Sequence, residues 1–204
     1  MEKGQAEEYK KDSNQLSLVV DNYVRCFQVL LGIYGDEENH LCKATKHQGY
    51  YPFIPSNSRL ALRYLRIAKE YLYTKARADH GQLPKLRFLD CGCGIGNVML
   101  LASAIGFQDI EGIEFDLETW KMAKRVVPHF RVIRGDIVNF NEYGRYDIIY
   151  FYDPIGDTTK RGLFLKKLIR NMKVGAIIIA FNGMETPARG FKQIKQDCIM
   201  EKIK

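Results

Sequence analysis

The chain has 204 residues, 46% of them hydrophobic and 27% charged, an ordinary globular composition that excludes disordered and collagen-like chains. Lysine and arginine outnumber aspartate and glutamate by 31 to 24, a net charge of +7. The excess is segregated into two basic stretches, residues 41–89 and 158–204, around an acidic middle, a layout that suits either a solvated surface or an anionic macromolecule such as RNA.

Residues 1–14 read as a polar tail without the pattern of a secretory signal. Leu16, Val19, Val20, Tyr23, Val24, Phe27, Leu30 and Leu31 recur at helical spacing, which predicts an amphipathic helix over 15–34. Residues 39–57 hold Gly49, Pro52 and Pro55 and read as a loop. Ser56 or Ser58 is expected to cap a second helix, carried by Leu60, Leu62, Leu65, Ala68 and Leu72 to about Ala78. The break at 80–84 divides an N-terminal helical extension, 1–84, from a main domain, 85–204.

Beyond that break, short apolar runs alternate with helical stretches. Strands are expected at 86–90, 109–114, 130–134, 146–152 and 176–181, and helices at 97–105, 117–126 and 158–172. This alternation predicts an α/β fold with a doubly wound, mostly parallel sheet. Residues 191–194 and 198–203 are expected to form an abbreviated hairpin about Gln196-Asp197. No apolar run approaches the roughly 20 residues that cross a bilayer, so no membrane partner is expected. Cysteines number 5. That is an odd count, and Cys91 and Cys93 stand too close together for a disulfide framework. A reducing, cytoplasmic compartment follows as the expectation.

The sharpest local signal is Asp90-Cys91-Gly92-Cys93-Gly94-Ile95-Gly96-Asn97, between an apolar strand and a helix. Glycines allow a sharp turn and close backbone approach to a ligand. The helix start behind them offers free N–H groups. Glu114 ends the next strand, where a carboxylate can accept both hydroxyls of a ribose. Asp136 follows the third strand. Its carboxylate can accept from an exocyclic amine while Ile137 lies against a planar ring. These groups fall at the carboxyl ends of three successive strands, the edge on which doubly wound sheets bind ligands.

Residues 86–181, about half the chain, resemble the class I, Rossmann-like methyltransferases that use S-adenosylmethionine. The likeness rests on D-x-G-x-G-x-G at 90–96, Glu114, Gly135-Asp136, and Asp153-Pro154 after the fourth strand. It implies strand order 3-2-1-4-5 with a terminal 7-6 hairpin and S-adenosylmethionine as cofactor. Asp90, Gly92, Gly94 and Gly96 would surround its amino-acid part, Glu114 its ribose, and Asp136 and Ile137 its adenine. A nicotinamide dehydrogenase is the competitor within the same architecture. Its fingerprint places the last two glycines as G-x-x-G, whereas here they stand as G-x-G with Asn97 at the later position.

Amino-methyltransferases of this kind carry Asn, Asp or Ser, then Pro-Pro and an aromatic, after the fourth strand. Here the run is Asp153-Pro154-Ile155-Gly156, without the second proline and the aromatic. A carboxylate at Asp153 can still orient an amine and accept its proton, and Tyr152 is expected to wall the acceptor pocket. The Pro-x-x-Pro spacing at 52–55 resembles the segment ahead of the sheet in the lysine methyltransferases related to telomeric-silencing enzymes. That likeness implies that Tyr51 and Pro55 touch the cofactor. The acceptor is then an amine of a protein, a nucleic acid or a small molecule. The alternative reading is a Rossmann-like RNA-binding module that keeps S-adenosylmethionine as a structural or regulatory ligand. Cys26, His40, Cys42 and His47 match no metal-ligand spacing, and no metal is expected.

Overall fold

The computed structural model describes residues 14–25, 49–51, 56–80, 85–181, 184, 189–195 and 198–204. Helices are α1 (residues 14–25), α2 (Ser58–His80), α3 (Asn97–Ala104), α4 (Leu117–Val126) and α5 (Thr158–Asn171). Strands are β1 (Arg87–Cys91), β2 (Asp109–Glu114), β3 (Arg131–Arg134), β4 (Ile148–Tyr152), β5 (Ile177–Phe181), β6 (Phe191–Lys195) and β7 (Ile199–Lys202). They form one seven-stranded sheet in the order β3-β2-β1-β4-β5-β7-β6. The first five pair in parallel, and β7 and β6 are antiparallel. The strand order and the terminal hairpin are those the resemblance implies.

The central strands are covered on both faces, as parallel sheets require. On one face Phe88, Ile148, Tyr150, Ile177 and Ile179 share a buried cluster with Ala61, Leu62, Leu65 and Ala68 of α2 and with Val20 and Val24 of α1. On the other, Leu89, Ile149, Phe151 and Ile178 pack with Phe164, Leu168 and Met172 on or beside α5. The helices ahead of the break thus contribute directly to the core of the sheet.

Several local expectations change. The cap of α2 is Asn57, whose Oδ1 accepts from the Leu60 N–H at 3.0 Å. A cap side chain accepts from the second or third helical N–H, and Asn57 stands at that spacing from Leu60. The two serines bond elsewhere: Ser58 donates to Asp21 of α1, and Ser56 accepts from Tyr150. The fourth strand begins at Ile148, after a 3-10 turn at Tyr143–Arg145, where the Asp147 carboxylate instead accepts from the Arg87 N–H. The predicted helical residues 26–34, the rest of the loop at 39–48 and 52–55, and the hairpin tip at 196–197 lie outside the described residues. Among the described residues no helix is long and apolar enough to cross a membrane.

Candidate functional site

The bend after β1 is hung from the end of β2. The N–H groups of Gly92 and Cys93 both donate to the Ile113 carbonyl, at 2.9 and 3.0 Å. Gly92, Gly94 and Gly96 all have positive φ, 78°, 56° and 95°, a region that penalises any side chain. A Cβ on Gly96 would stand 2.8 Å from Val127, so this glycine also lets α3 close against the end of α4.

Asp90 sits at the root of the bend, only 2% exposed. Its Oδ2 has no hydrogen-bond partner among the described residues, and neither does Oδ1 of buried Asn97. Burial, with the neighbouring Glu114 charge, pushes the Asp90 carboxyl well above the usual carboxylate range. A buried orphan acceptor is costly.

Glu114 turns its carboxylate back into the bend. Oε2 accepts from the Gly94 N–H at 2.9 Å, and Oε1 from the Asp116 N–H at 2.8 Å. An ionised carboxylate has about four lone-pair sites, so both oxygens keep acceptor capacity. Burial raises its pKa to about 7, with the backbone N–H groups of Asp116 and Gly94 opposing.

Asp136 caps the turn after β3, accepting from the Val138 N–H at 2.8 Å and from the Asn139 amide at 3.1 Å. It also accepts from the Tyr50 hydroxyl at 2.6 Å. The Tyr50 ring stacks on Phe115, centroids 4.5 Å apart at 21°, in the buried cluster that includes Ile137. The place expected for a planar base, at Asp136 and Ile137, therefore holds the ring of Tyr50, with Phe115 stacked on it. Tyr51, the residue expected at the cofactor, is 46% exposed. Its ring lies over Gly156, and its N–H donates to the Pro154 carbonyl at 3.2 Å. Pro55 lies outside the described residues.

Asp153 follows β4 on the same edge of the sheet. Its φ of 30° is the one positive value at a non-glycine residue among those described, and such strain concentrates at functional positions. Its Oδ1 is buried without a hydrogen bond. The Arg161 Nε lies 3.4 Å away and donates instead to the Ile155 carbonyl at 3.1 Å. Burial raises the Asp153 pKa, and the Arg161 charge opposes the rise. Tyr152 is half-buried, its ring centroid 5.9 Å from that of Phe181. Phe151 is core, packed edge-on against Phe164.

Asp90, Glu114, Asp136 and Asp153 are thus gathered on the carboxyl edge of four neighbouring strands. Sequence reasoning missed Tyr50, Phe115, Ser56 and Arg161. Phe115 carried a usable signal, since an apolar residue just beyond a strand-end acid faces the same edge. Cys91 and Cys93 are buried thiols whose pKa values burial raises further, which makes them inert fillers of the turn. Among the described residues no group of three His, Cys, Asp or Glu side chains could hold a metal. Cys26, His40, Cys42 and His47 lie outside them.

No family model matches the chain, and no curated protein matches it. Solved structures do. A candidate RNA methyltransferase from Pyrococcus horikoshii matches with a TM-score of 0.55 at 18% identity, covering 84% of this chain and 73% of that one. The fold is that of the Rossmann-like methyltransferases. An S-adenosylmethionine-dependent methyltransferase from Clostridium acetobutylicum matches with a TM-score of 0.44 at 19% identity, over 57% of this chain and 49% of that one. The amino pentose methyltransferase CalS10 from Micromonospora echinaspora, solved with S-adenosylmethionine bound, matches with a TM-score of 0.43 at 19% identity, over 64% and 58%. The chain spans about half the length of these last two proteins.

Proposed function

We propose that this chain is an S-adenosylmethionine-dependent methyltransferase that acts on an amine. The observation that carries the reading is the placement of two buried carboxylate oxygens without a hydrogen bond among the described residues, Asp90 Oδ2 and Asp153 Oδ1, on the edge that also holds Glu114 and Asp136. When bound, S-adenosylmethionine supplies an activated methyl group. The chain's residues fit its parts. Asp90 Oδ2 lacks a donor that an ammonium group would provide. Glu114 retains lone pairs for ribose hydroxyls. The Phe115–Asp136–Ile137 slot already accepts a planar ring with a hydrogen-bond donor at its rim. Gly94 allows the close backbone approach, while the space a Cβ would take at Gly92 is filled by Pro154.

Asp153 is the residue for the acceptor. Its Oδ1, which makes no hydrogen bond among the described residues, accepts one from an amine N–H, which aims the nitrogen lone pair and holds the departing proton. The Arg161 guanidinium opposes the rise that burial gives the Asp153 pKa. In this reading Tyr152, which precedes Asp153 in the chain, walls the entering group. The acceptor amine belongs to a macromolecule. The two basic stretches, each with an excess of 8 positive charges by count of the sequence, favour an RNA base over a protein lysine.

Calorimetry with S-adenosylmethionine and S-adenosylhomocysteine tests the cofactor, and Glu114→Ala should weaken both. Absence of binding at millimolar ligand rejects the reading. Incubation with methyl-tritiated cofactor and a cell lysate, followed by nuclease or protease digestion, tells an RNA acceptor from a protein one. An intact label after both digestions points to a small amine. Salt-dependent RNA binding with no transfer to any fraction would instead favour the RNA-binding module.

A further inference from the structure

We infer that Tyr50 is an internal occupant of the base slot, a built-in stand-in for adenine that must swing out before an adenosyl ligand can enter. The inference rests on reading the Phe115–Asp136–Ile137 slot as a base site.

The Tyr50 ring supplies each interaction that such a slot offers a base. It is flat against Phe115, with centroids 4.5 Å apart, which leaves no room for a second ring between them. Its hydroxyl donates to Asp136 Oδ1 at 2.6 Å, as an exocyclic amine would. It shares the Ile137 cluster and is only 7% exposed. The Lys160 ammonium lies over the ring, 4.9 Å from its centroid, a cation–π contact that adds to its hold.

The backbone around Tyr50 is latched to the acceptor corner. Tyr50 forms an antiparallel bridge with Ile155. The N–H groups of Gly156 and Asp157 both donate to the Gly49 carbonyl at 3.0 Å, and the Tyr51 N–H donates to the Pro154 carbonyl at 3.2 Å. A Cβ on Gly49 would stand 2.8 Å from the Asp157 Cβ, so the two segments are in close contact. Residues 154–157 follow Asp153 directly. Withdrawal of Tyr50 therefore loosens the loop that carries the amine-binding carboxylate, and ligand entry at one end of the site is felt at the other. A protein whose competent state is a minor fraction binds its ligand more weakly by that fraction. Removing the stand-in should restore the intrinsic affinity.

The test is calorimetry of wild type, Tyr50→Ala and Tyr50→Phe with S-adenosylhomocysteine and with adenosine. Tyr50→Ala should bind both ligands at least about tenfold more tightly than wild type. Tyr50→Phe keeps the ring but loses the bond to Asp136, and it should gain about threefold. This milder variant decides the matter if Tyr50→Ala fails to fold. Unchanged or weaker binding by the variants, with wild type binding measurably, overturns the inference and makes Tyr50 an ordinary wall of the site. If no form binds either ligand, the methyltransferase reading fails and the inference falls with it.

Discussion

Gly92 lies directly against Pro154: a Cβ built on Gly92 would stand 2.8 Å from the Cβ of Pro154. The bend after β1 and the corner after β4 are therefore in contact, although 62 residues separate them in the chain. Gly92→Ala would force a side chain onto a φ of 78° and push Pro154, and with it Asp153, out of place. Left-handed backbone alone costs roughly 1–2 kcal/mol, which lowers the melting temperature by a few degrees. Methyl transfer should fall more than stability does, because the displaced group is the one at the acceptor. Gly162→Ala in α5 is the matched control. Nothing lies within 4 Å of a Cβ there, and replacing glycine inside a helix should stabilise by roughly 0.5–1 kcal/mol. Equal melting temperatures and transfer rates for the two variants would contradict this account.

The fold was legible because each strand and helix announces itself locally. Dense apolar runs gave β4 and β5, shorter apolar stretches ahead of glycine or acidic turns gave β1 and β2, right-handed crossovers limited the topology to a doubly wound sheet, and the strand order is the one the resemblance implies. The site was legible only where its residues stand at strand ends. Glu111 shows the limit. It is an acid on the same strand as Glu114, yet it is clasped by Arg131 at 2.9 Å and by Tyr146 at 3.1 Å. The pattern of one strand cannot tell a carboxylate held by side chains from one aimed at a ligand. Tyr50 shows it again, because its partner Asp136 is 86 residues away. Two adjacent tyrosines look alike in the sequence, and only the bridge to Ile155 decides which one turns inward.

Glu114 should make the protein less stable as pH rises. Burial lifts its pKa from 4.5 to about 7 in the folded state, with the N–H groups of Asp116 and Gly94 opposing. Below pH 4.5 both folded and unfolded forms hold the proton, and the contribution is fully present. As pH climbs, the unfolded chain ionises first, and the contribution is lost through about pH 7. At 1.36 kcal/mol per unit, the loss is about 3 kcal/mol. Asp90, raised by its own burial and by Glu114, acts in the same direction. Thermal melts across this window for wild type and Glu114→Gln isolate the effect, since the variant cannot titrate. Its melting temperature should fall less steeply than that of wild type, and parallel curves would show that Glu114 is not the source.

Arg161 should set the acid limb of methyl transfer. Burial raises the Asp153 pKa and the Arg161 guanidinium opposes the rise. Because the carboxylate must be ionised to receive a proton, the rate falls as pH drops through this pKa. Arg161→Met removes the opposing charge, so the limb should move to higher pH while the rate on the alkaline plateau changes little. A merely structural role would lower the plateau without moving the limb, and the full pH–rate profile separates the two.

Consecutive residues of β7, Glu201 and Lys202, fasten helices on opposite faces of the sheet. The Glu201 carboxylate is 3% exposed and accepts from Tyr71 and Lys75 of α2, the tyrosine hydroxyl at 2.7 Å. The Lys202 ammonium donates to the carbonyls of Ile169 and Met172, each at 2.7 Å, where the end of α5 leaves acceptors unpaired. The short terminal hairpin thus clamps both helical layers. Lys202→Met would strip a buried helix end of its cationic cap and should cost roughly 1–3 kcal/mol. Glu201→Gln should cost a similar amount by weakening the hold on Lys75. The hydrogen bonds described for the two side chains go to different helices, so the double variant should lose the sum of the single losses to within about 0.5 kcal/mol. Chemical denaturation of the four forms measures this, and a double variant no worse than either single one would mean that the hairpin lets go as a unit.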